Sequence, residues 1–140
     1  MNPLDVRVAA MNLLARREHS RLELERKLSK RFGDHDVVNE QLDRLAAERL
    51  QSDRRYAESF LRQRIDRGHG LLRIRQEMRQ KGLPVALIDA ALEAESPDWH
   101  GLAAETFRRK FGDLPADDIR DKARRSRFTA HLELWQRALR

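Results

Sequence analysis

Histidines, glycines and paired aspartates are the residues of this 140-residue chain that could do chemistry, and none of them is spaced for it. The five histidines are dispersed, and the chain has no cysteine to complete a zinc site. The glycines on either side of His69 do not make a phosphate loop, because no strand precedes them and no Lys-Ser/Thr pair follows. Asp117 and Asp118 suit the positive end of a helix dipole better than acid–base work. We therefore expect no catalytic residue, no metal, no cofactor and no enzymatic activity.

Arginine and lysine are the side chains whose distribution indicates a partner. The chain has 29 Lys and Arg against 23 Asp and Glu, a net charge of +6, and such a basic excess is typical of proteins that meet a polyanion. Two segments concentrate the excess, since only Asp66 and Glu77 oppose the first and only Asp121 opposes the second. A single exposed arginine commonly serves only to solvate a helix, so the prediction concerns each segment as a cluster. The predicted partner- or DNA-binding residues are Arg62, Arg64, Arg67, Arg73, Arg75, Arg79 and Lys81 in residues 62–81, and Arg120, Lys122, Arg124, Arg125 and Arg127 in residues 120–127.

Helical periodicity predicts the elements that carry these cations. Leu4, Val8, Met11 and Ala15 have the spacing of the inner face of an amphipathic helix. Similar stripes follow along the chain, and no run alternates with the period of two that a strand requires. The later predicted inner faces are Leu24 and Leu28; Val38, Leu42 and Leu45; Ala57, Phe60, Leu61 and Ile65; Leu71, Ile74 and Met78; Val85, Ile88 and Leu92; Trp99, Leu102, Thr106 and Phe107; Ile119 and Ala123; and Leu132, Trp135 and Leu139.

Capping residues separate these stripes into nine predicted helices. Ser20 and Glu23 have the spacing of a capping box, in which each side chain binds the backbone amide of the other residue. Pro84, Pro97 and Pro115 stand where helices are predicted to begin, because the first helical turn tolerates a missing amide. The predicted fold is therefore all-α.

The nine stripes form an internal repeat of three helices. Equivalent positions are Ala10, Ala57 and Ala104; Leu24, Ile74 and Ile119; and Leu28, Met78 and Ala123. We predict three tandem three-helix repeats, covering residues 1–51, 52–96 and 97–140, in one continuous elongated or curved array.

Three segments of the chain resemble the RecX family. Residues 20–28 (Ser-Arg-Leu-Glu-Leu-Glu-Arg-Lys-Leu) are similar to the signature of the family's first repeat, and residues 50–57 are similar to its first junction. The strongest match runs from Arg67 through Gly68-His69-Gly70 to Ile74 and continues into Lys81-Gly82-Leu83. The likeness extends over nearly the whole chain, from about residue 6 to residue 139.

The resemblance fails at two places where the family commonly has a glycine. Arg49 precedes the first junction, and Ser126-Arg127-Phe128 stands in place of an Arg-Gly-Phe sequence. An L-residue in a left-handed turn costs roughly 1–2 kcal/mol. The turns at Arg49 and Arg127 are therefore where the chain can depart from the family.

The resemblance implies a function that the spacing of the residues does not. RecX-like proteins are tandem three-helix repeats that bind the RecA recombinase–DNA filament and restrain strand exchange, ATP hydrolysis and co-protease activity. This chain is accordingly expected to be a monomeric negative regulator of RecA, with single- or double-stranded DNA as a secondary partner. Filament capping and groove binding both remain open.

Two other functions are compatible with the same residues. A basic three-helix unit is also how DNA-binding repressors present a recognition helix, so the helix at residues 71–81 is an alternative reader of duplex DNA. A scaffold that binds only another protein is the third possibility. The chain has no apolar stretch long enough to cross a membrane, no apolar signal core and no cysteine, so we predict a cytoplasmic location.

Overall fold

The computed structural model describes the backbone of residues 2–137 and the side chains of residues 2–130. Over that part of the chain it contains eight α-helices and no strand, which confirms the all-α prediction. The helices are α1 (Pro3–Arg16), α2 (Arg21–Phe32), α3 (His35–Ala47), α4 (Asp53–Asp66), α5 (Leu71–Gln80), α6 (Val85–Glu95), α7 (Trp99–Phe111) and α8 (Ile119–Arg137).

Helices α1–α3 pack on one another and form what we call the first unit. The capping box at the start of α2 is present as predicted: the Glu23 amide donates to Ser20 Oγ at 3.2 Å, and the Ser20 amide donates to the Glu23 carboxylate at 3.1 Å. Apolar side chains from all three helices fill the core. Its buried members are Val6, Ala9, Ala10, Leu24, Leu28, Val38, Leu42 and Leu45.

Helices α4–α6 form the second unit, which repeats the packing of the first. The positions predicted to be equivalent, Ala10 and Ala57 among them, are buried in both units. The half-buried Trp99 at the start of α7 packs against this second core. The buried members of the second core are Tyr56, Ala57, Phe60, Leu61, Ile74, Met78, Leu83, Ile88 and Ala91.

The predicted inner face of α1 is wrong. Leu4 is 59% exposed, and Val8, Met11 and Ala15 are also exposed, whereas Val6 and Ala10 are buried against α2 and α3. Both sets of residues have helical spacing, since a rotation of about 100° per residue turns one stripe away when the other faces the core. Contacts with the neighbouring helices choose between the two stripes, and the sequence of α1 alone does not contain that information.

Residues 97–137 differ most from the prediction. Two helices were expected after Pro115, but the chain is irregular as far as Asp118 and then forms the single helix α8. Asp118 supports the start of α8, where its carboxylate accepts from the Asp121 amide at 2.7 Å. Residues 119–137 contain no glycine or proline that would end a helix. We call α7 and α8, which pack on each other, the C-terminal pair.

Polar contacts join the first unit to the second. Glu23 accepts from both guanidinium nitrogens of Arg17, at 3.2 and 3.0 Å, and lies 3.8 Å from Lys81 Nζ. The Arg21 amide donates to Asp53 Oδ1 at 2.8 Å. At Gly82, which has a φ of +82°, an added Cβ would come within 2.7 Å of Leu22 Cβ. The first turn of α2 therefore meets the start of α4 and the end of α5, and Gly82 allows the close approach.

The electrostatics of this joint fix the charge of two groups. Burial would raise the pKa of Glu23, but hydrogen bonds from Arg17 and Ser20 and the charges of Arg17 and Lys81 lower it to about 2. Burial lowers the pKa of His19, and the charges of Arg17 and Lys27 act in the same direction. Lys27 Nζ lies 3.2 Å from His19 Nε2, and His19 Nδ1 lies 3.0 Å from the Arg17 carbonyl oxygen. These contacts fit a neutral imidazole that donates from Nδ1 and accepts at Nε2.

Candidate interaction surface

Carboxylates from other helices neutralise part of the basic segment at residues 62–81. Arg62 lies 3.2 Å from Glu95, and Arg75 lies 2.9 Å from Asp89; both acidic residues belong to α6. Lys81 points toward Glu23 in the first unit. The sequence analysis considered only the acidic residues within the segment. It did not predict these partners, because their carboxylates come from distant parts of the sequence.

Glu77 holds three further side chains of this region. Arg64 Nε and Arg73 Nε each lie 3.0 Å from its carboxylate, and His69 Nδ1 lies at 3.3 Å. The Arg64 guanidinium also covers the Phe60 ring, with 4.6 Å to the centroid. Burial lowers the pKa of His69, and the charge of Arg73 acts in the same direction while Glu77 opposes them. Arg64 therefore contributes to the packing of the second unit rather than to a free cationic surface.

Arg67 and Arg79 are the cations of this segment that have no carboxylate partner in the described part of the chain. Both side chains are exposed. Arg67 directly follows α4 as its C-terminal cap, and Arg79 lies in the last turn of α5. The predicted basic cluster thus divides into cations that are held by ion pairs and two that face solvent unopposed.

The basic segment at residues 120–127 divides in the same way. Arg124 and Arg125 both contact Asp121, at 2.8 and 3.2 Å, and Arg125 also donates to the Leu114 carbonyl oxygen at 2.7 Å. Partial burial would raise the pKa of Asp121, but the hydrogen bond from Arg124 and the neighbouring charges lower it. Within the described residues the unpaired cations of α8 are Arg120, Lys122 and Arg127, and all three are exposed.

A groove between α5 and α6 was not predicted. It has a volume of about 570 Å³ and lies on the outer face of α5. Val85 was predicted to lie on an inner face, but it is 52% exposed and lines the groove together with Leu72, which is 45% exposed. The sequence signal was the spacing of Leu72 with Gln76 and Arg79, which places one leucine on an otherwise polar helix face. The groove is lined by Leu72, Arg75, Gln76, Arg79, Gln80, Val85 and Ile88.

The histidines and aspartates for which we expected no catalytic or metal-binding role include two that make structural contacts. His19 belongs to the joint between the units, and Asp118 supports the start of α8. Across the described residues, no three His, Asp or Glu side chains gather as a metal site would require. Nor does any helix among them have the length and apolarity needed to span a bilayer.

The fold and this surface define an all-helical protein that presents unpaired cations and an apolar groove on packed helical units. The family model for the first three-helix domain of RecX matches residues 7–45, and the model for the second matches residues 52–92. The chain therefore belongs to the RecX family, which confirms the resemblance.

Named relatives agree with this assignment. The chain is 48% identical over 130 residues to "Regulatory protein RecX" of Ectopseudomonas mendocina (strain ymp), covering 93% of this chain and 87% of the relative. It is 46% identical over 121 residues to the protein of the same name from Chromohalobacter salexigens, covering 86% of this chain and 79% of the relative.

Two solved structures have folds similar to that of this chain. The crystal structure of a regulatory protein RecX has a TM-score of 0.68 and 26% identity, covering 90% of this chain and 63% of that one. The crystal structure of RecX from Lactobacillus salivarius has a TM-score of 0.70 and 24% identity, covering 94% of this chain and 86% of that one.

Proposed function

We propose that this protein is a negative regulator of RecA that acts in the cytoplasm. As a monomer it binds the RecA–DNA filament and restrains strand exchange, ATP hydrolysis and co-protease activity. Membership of the RecX family supports the general role. The structural observation that carries the proposal is that two elements of the fold expose cations without a carboxylate partner among the described residues: the second unit, at Arg67 and Arg79, and α8, at Arg120, Lys122 and Arg127.

Exposed cations on more than one helix suit a filament better than a single small ligand. A filament repeats its acidic surfaces and its DNA phosphates, so a chain that contacts it at two places gains an effective-concentration advantage over either contact alone. Exposed ion pairs such as those of Arg62 and Arg75 are worth only about 0–1 kcal/mol. A filament carboxylate or phosphate can therefore displace Glu95 or Asp89 at little cost.

A DNA-binding repressor is the second candidate. Gln76 and Gln80 are exposed on α5 beside Arg79, and glutamine amides and arginine are side chains that read base edges in the major groove. This function requires tight binding to one duplex sequence without RecA. The filament proposal instead requires RecA on DNA for any effect.

The test is the single-strand-DNA-dependent ATPase activity of RecA while this protein is titrated in, with binding to DNA alone as a parallel measurement. We expect inhibition at fewer than one molecule per RecA protomer, because one bound regulator affects neighbouring protomers. No inhibition together with sequence-selective duplex binding would contradict the proposal and support the repressor.

Charge-reversal variants test the two cationic surfaces. Arg67→Glu with Arg79→Glu leaves the ion pairs of the second unit in place, and we expect about tenfold more protein to be needed for half-inhibition, equivalent to about 1.4 kcal/mol. A triple reversal of Arg120, Lys122 and Arg127 tests α8. Arg26→Glu on the exposed face of α2 is the matched control. Equal inhibition by the control and both variants would remove these surfaces from the proposal.

A further inference from the structure

Three apolar side chains line the groove between α5 and α6. Ile88 is buried, while Leu72 of α5 and Val85 of α6 are each about half exposed. On α5 the buried residues Leu71 and Ile74 face the core, so Leu72 is turned outward and has no core to join. The groove is large enough to take one large apolar side chain from outside the molecule.

Charge around the groove favours a carboxylate. Arg79 lines it and has no carboxylate partner within the described residues. Helix α6 begins at Val85 without a side-chain cap and without an acidic residue in its first turn. Its free amides and its dipole therefore favour a negative charge near Val85. Gln76 and Gln80 add amide groups that can bond to a peptide backbone.

The same groove is poorly suited to a nucleic-acid backbone. Arg75 lines the groove but is paired with Asp89 at 2.9 Å, so Arg79 is the one lining cation without a carboxylate partner among the described residues, whereas a nucleic-acid backbone presents a charge at every nucleotide. The exposed leucine and valine would lie against a polar sugar–phosphate chain without burying apolar area on it. A second copy of this chain is disfavoured as well, since each copy carries a net charge of +6.

We propose that the α5–α6 groove binds an acidic peptide segment of the protein partner, which seats one large apolar side chain between Leu72 and Val85 and places a carboxylate at Arg79. The inference rests on the proposed function, because it assigns this segment to RecA. Within that function the groove supplies protein recognition, whereas the cations of α8 remain available for other contacts. Apolar anchors in a central pocket carry most of the binding free energy in such interfaces.

The experiment measures binding of the full chain to RecA assembled on single-stranded DNA, over a range of salt concentrations. Leu72→Gln and Val85→Gln remove apolar lining side chains and are expected to weaken binding about tenfold each, with an unchanged salt dependence. Arg79→Gln is expected to weaken binding several-fold and to flatten the salt dependence. The matched controls are Leu4→Gln, on the exposed stripe of α1, and Arg26→Gln on α2.

The possible outcomes distinguish a failure of the groove inference from a failure of the proposed function. Filament binding that survives all three groove substitutions, in variants with unaltered thermal unfolding, would overturn the inference and leave the proposed function standing. An equal loss of binding to bare single-stranded DNA would show that the groove contacts nucleic acid, and would overturn it too. Failure of the unaltered chain to bind the filament would overturn the proposed function and the inference with it.

Discussion

The first two units and the C-terminal pair differ in how much of their sequence is buried. Leu24 and Ile74 occupy equivalent positions and are fully buried, whereas Ile119, their counterpart in the repeat, is 83% exposed. No residue of α7 is buried. The pair is held instead by half-buried aromatic rings, such as Phe111 and Phe128 at 5.5 Å between centroids. A repeat that is visible in the sequence therefore does not guarantee a repeat of the packing.

The family commonly has a glycine at the positions of Arg49 and Arg127, and these two positions show how the difference in burial affects the backbone. Arg49 keeps the left-handed turn, with a φ of +62°, and the Leu50 amide still donates to the Leu45 carbonyl oxygen at 2.9 Å. At Arg127 the turn is absent and α8 continues. Buried Leu45 and Gln51 flank Arg49 and enforce the turn. Arg127 has no buried neighbours in the described residues that could impose a similar strain.

The largest expected effect comes from truncating equivalent core positions. Leu24→Ala should lower the free energy of unfolding by about 2–5 kcal/mol, because it removes a fully buried side chain. Ile119→Ala, its counterpart in the C-terminal pair, should change it by less than about 0.5 kcal/mol. Urea unfolding followed by circular dichroism measures both. Similar losses for the two variants would mean that the pair is packed as tightly as the units.

The joint between the units is tested at two glycines. Gly82→Ala combines a left-handed conformation with a clash against Leu22, and it should cost about 2–4 kcal/mol. Gly33→Ala has a similar φ of +79° but open space around it, so it should cost only about 1–2 kcal/mol. The same unfolding measurement compares them. Equal costs would show that Leu22 moves aside freely.

Stability should fall as the pH is lowered through the ordinary histidine pKa of 6.5, since burial lowers the pKa of His19 in the folded chain and the unfolded chain therefore takes up the proton first. The stability is fully present above that pH, and one such group gives a slope of at most about 1.4 kcal/mol per pH unit. His69, whose pKa is also lowered, acts in the same direction.

Unfolding between pH 7 and pH 5 measures this slope. His19→Gln should reduce it, and His100→Gln, at an exposed position of α7, is the control that should preserve it. A slope that His19→Gln leaves unchanged would remove His19 from the account.

The smallest expected effects have opposite signs. Arg49→Gly should raise the free energy of unfolding by about 1 kcal/mol, because glycine adopts the left-handed turn without strain. Arg127→Gly should lower the stability of α8 by about 0.5–1 kcal/mol, because glycine weakens a helix interior. Urea unfolding measures the first, and amide hydrogen exchange in α8 measures the second. A stabilising Arg127→Gly would mean that a turn at that position is accessible after all.

Local signals in the sequence predicted the helices of the first two units and much of their core. The capping box at Ser20 and the stripe of Leu71, Ile74 and Met78 were correct because both depend only on nearby residues. The inner face of α1 was predicted wrongly because two stripes of that helix compete for the core. The burial of Ile119 was predicted wrongly because no side chain among the described residues covers it.

The candidate surface was less predictable than the fold. Sequence spacing identified where the cations cluster, but Arg62 and Arg75 find their carboxylates on α6. Long-range pairs of this kind follow from helix packing, which a count of charges within one segment does not contain. The groove beside Arg79 was missed for the same reason, since its lining residues come from two helices.

Glu23 gives the first and second units a shared folding cooperativity. The same carboxylate closes the capping box of α2 and receives Arg17 and Lys81, so nucleation of that helix is linked thermodynamically to docking of the second unit. In a one-dimensional repeat, such nearest-neighbour coupling decides whether the units melt singly or together. A fragment that ends at residue 51 would lack both Asp53 and Lys81. We therefore expect the two units to unfold in one step, while the C-terminal pair opens earlier and on its own.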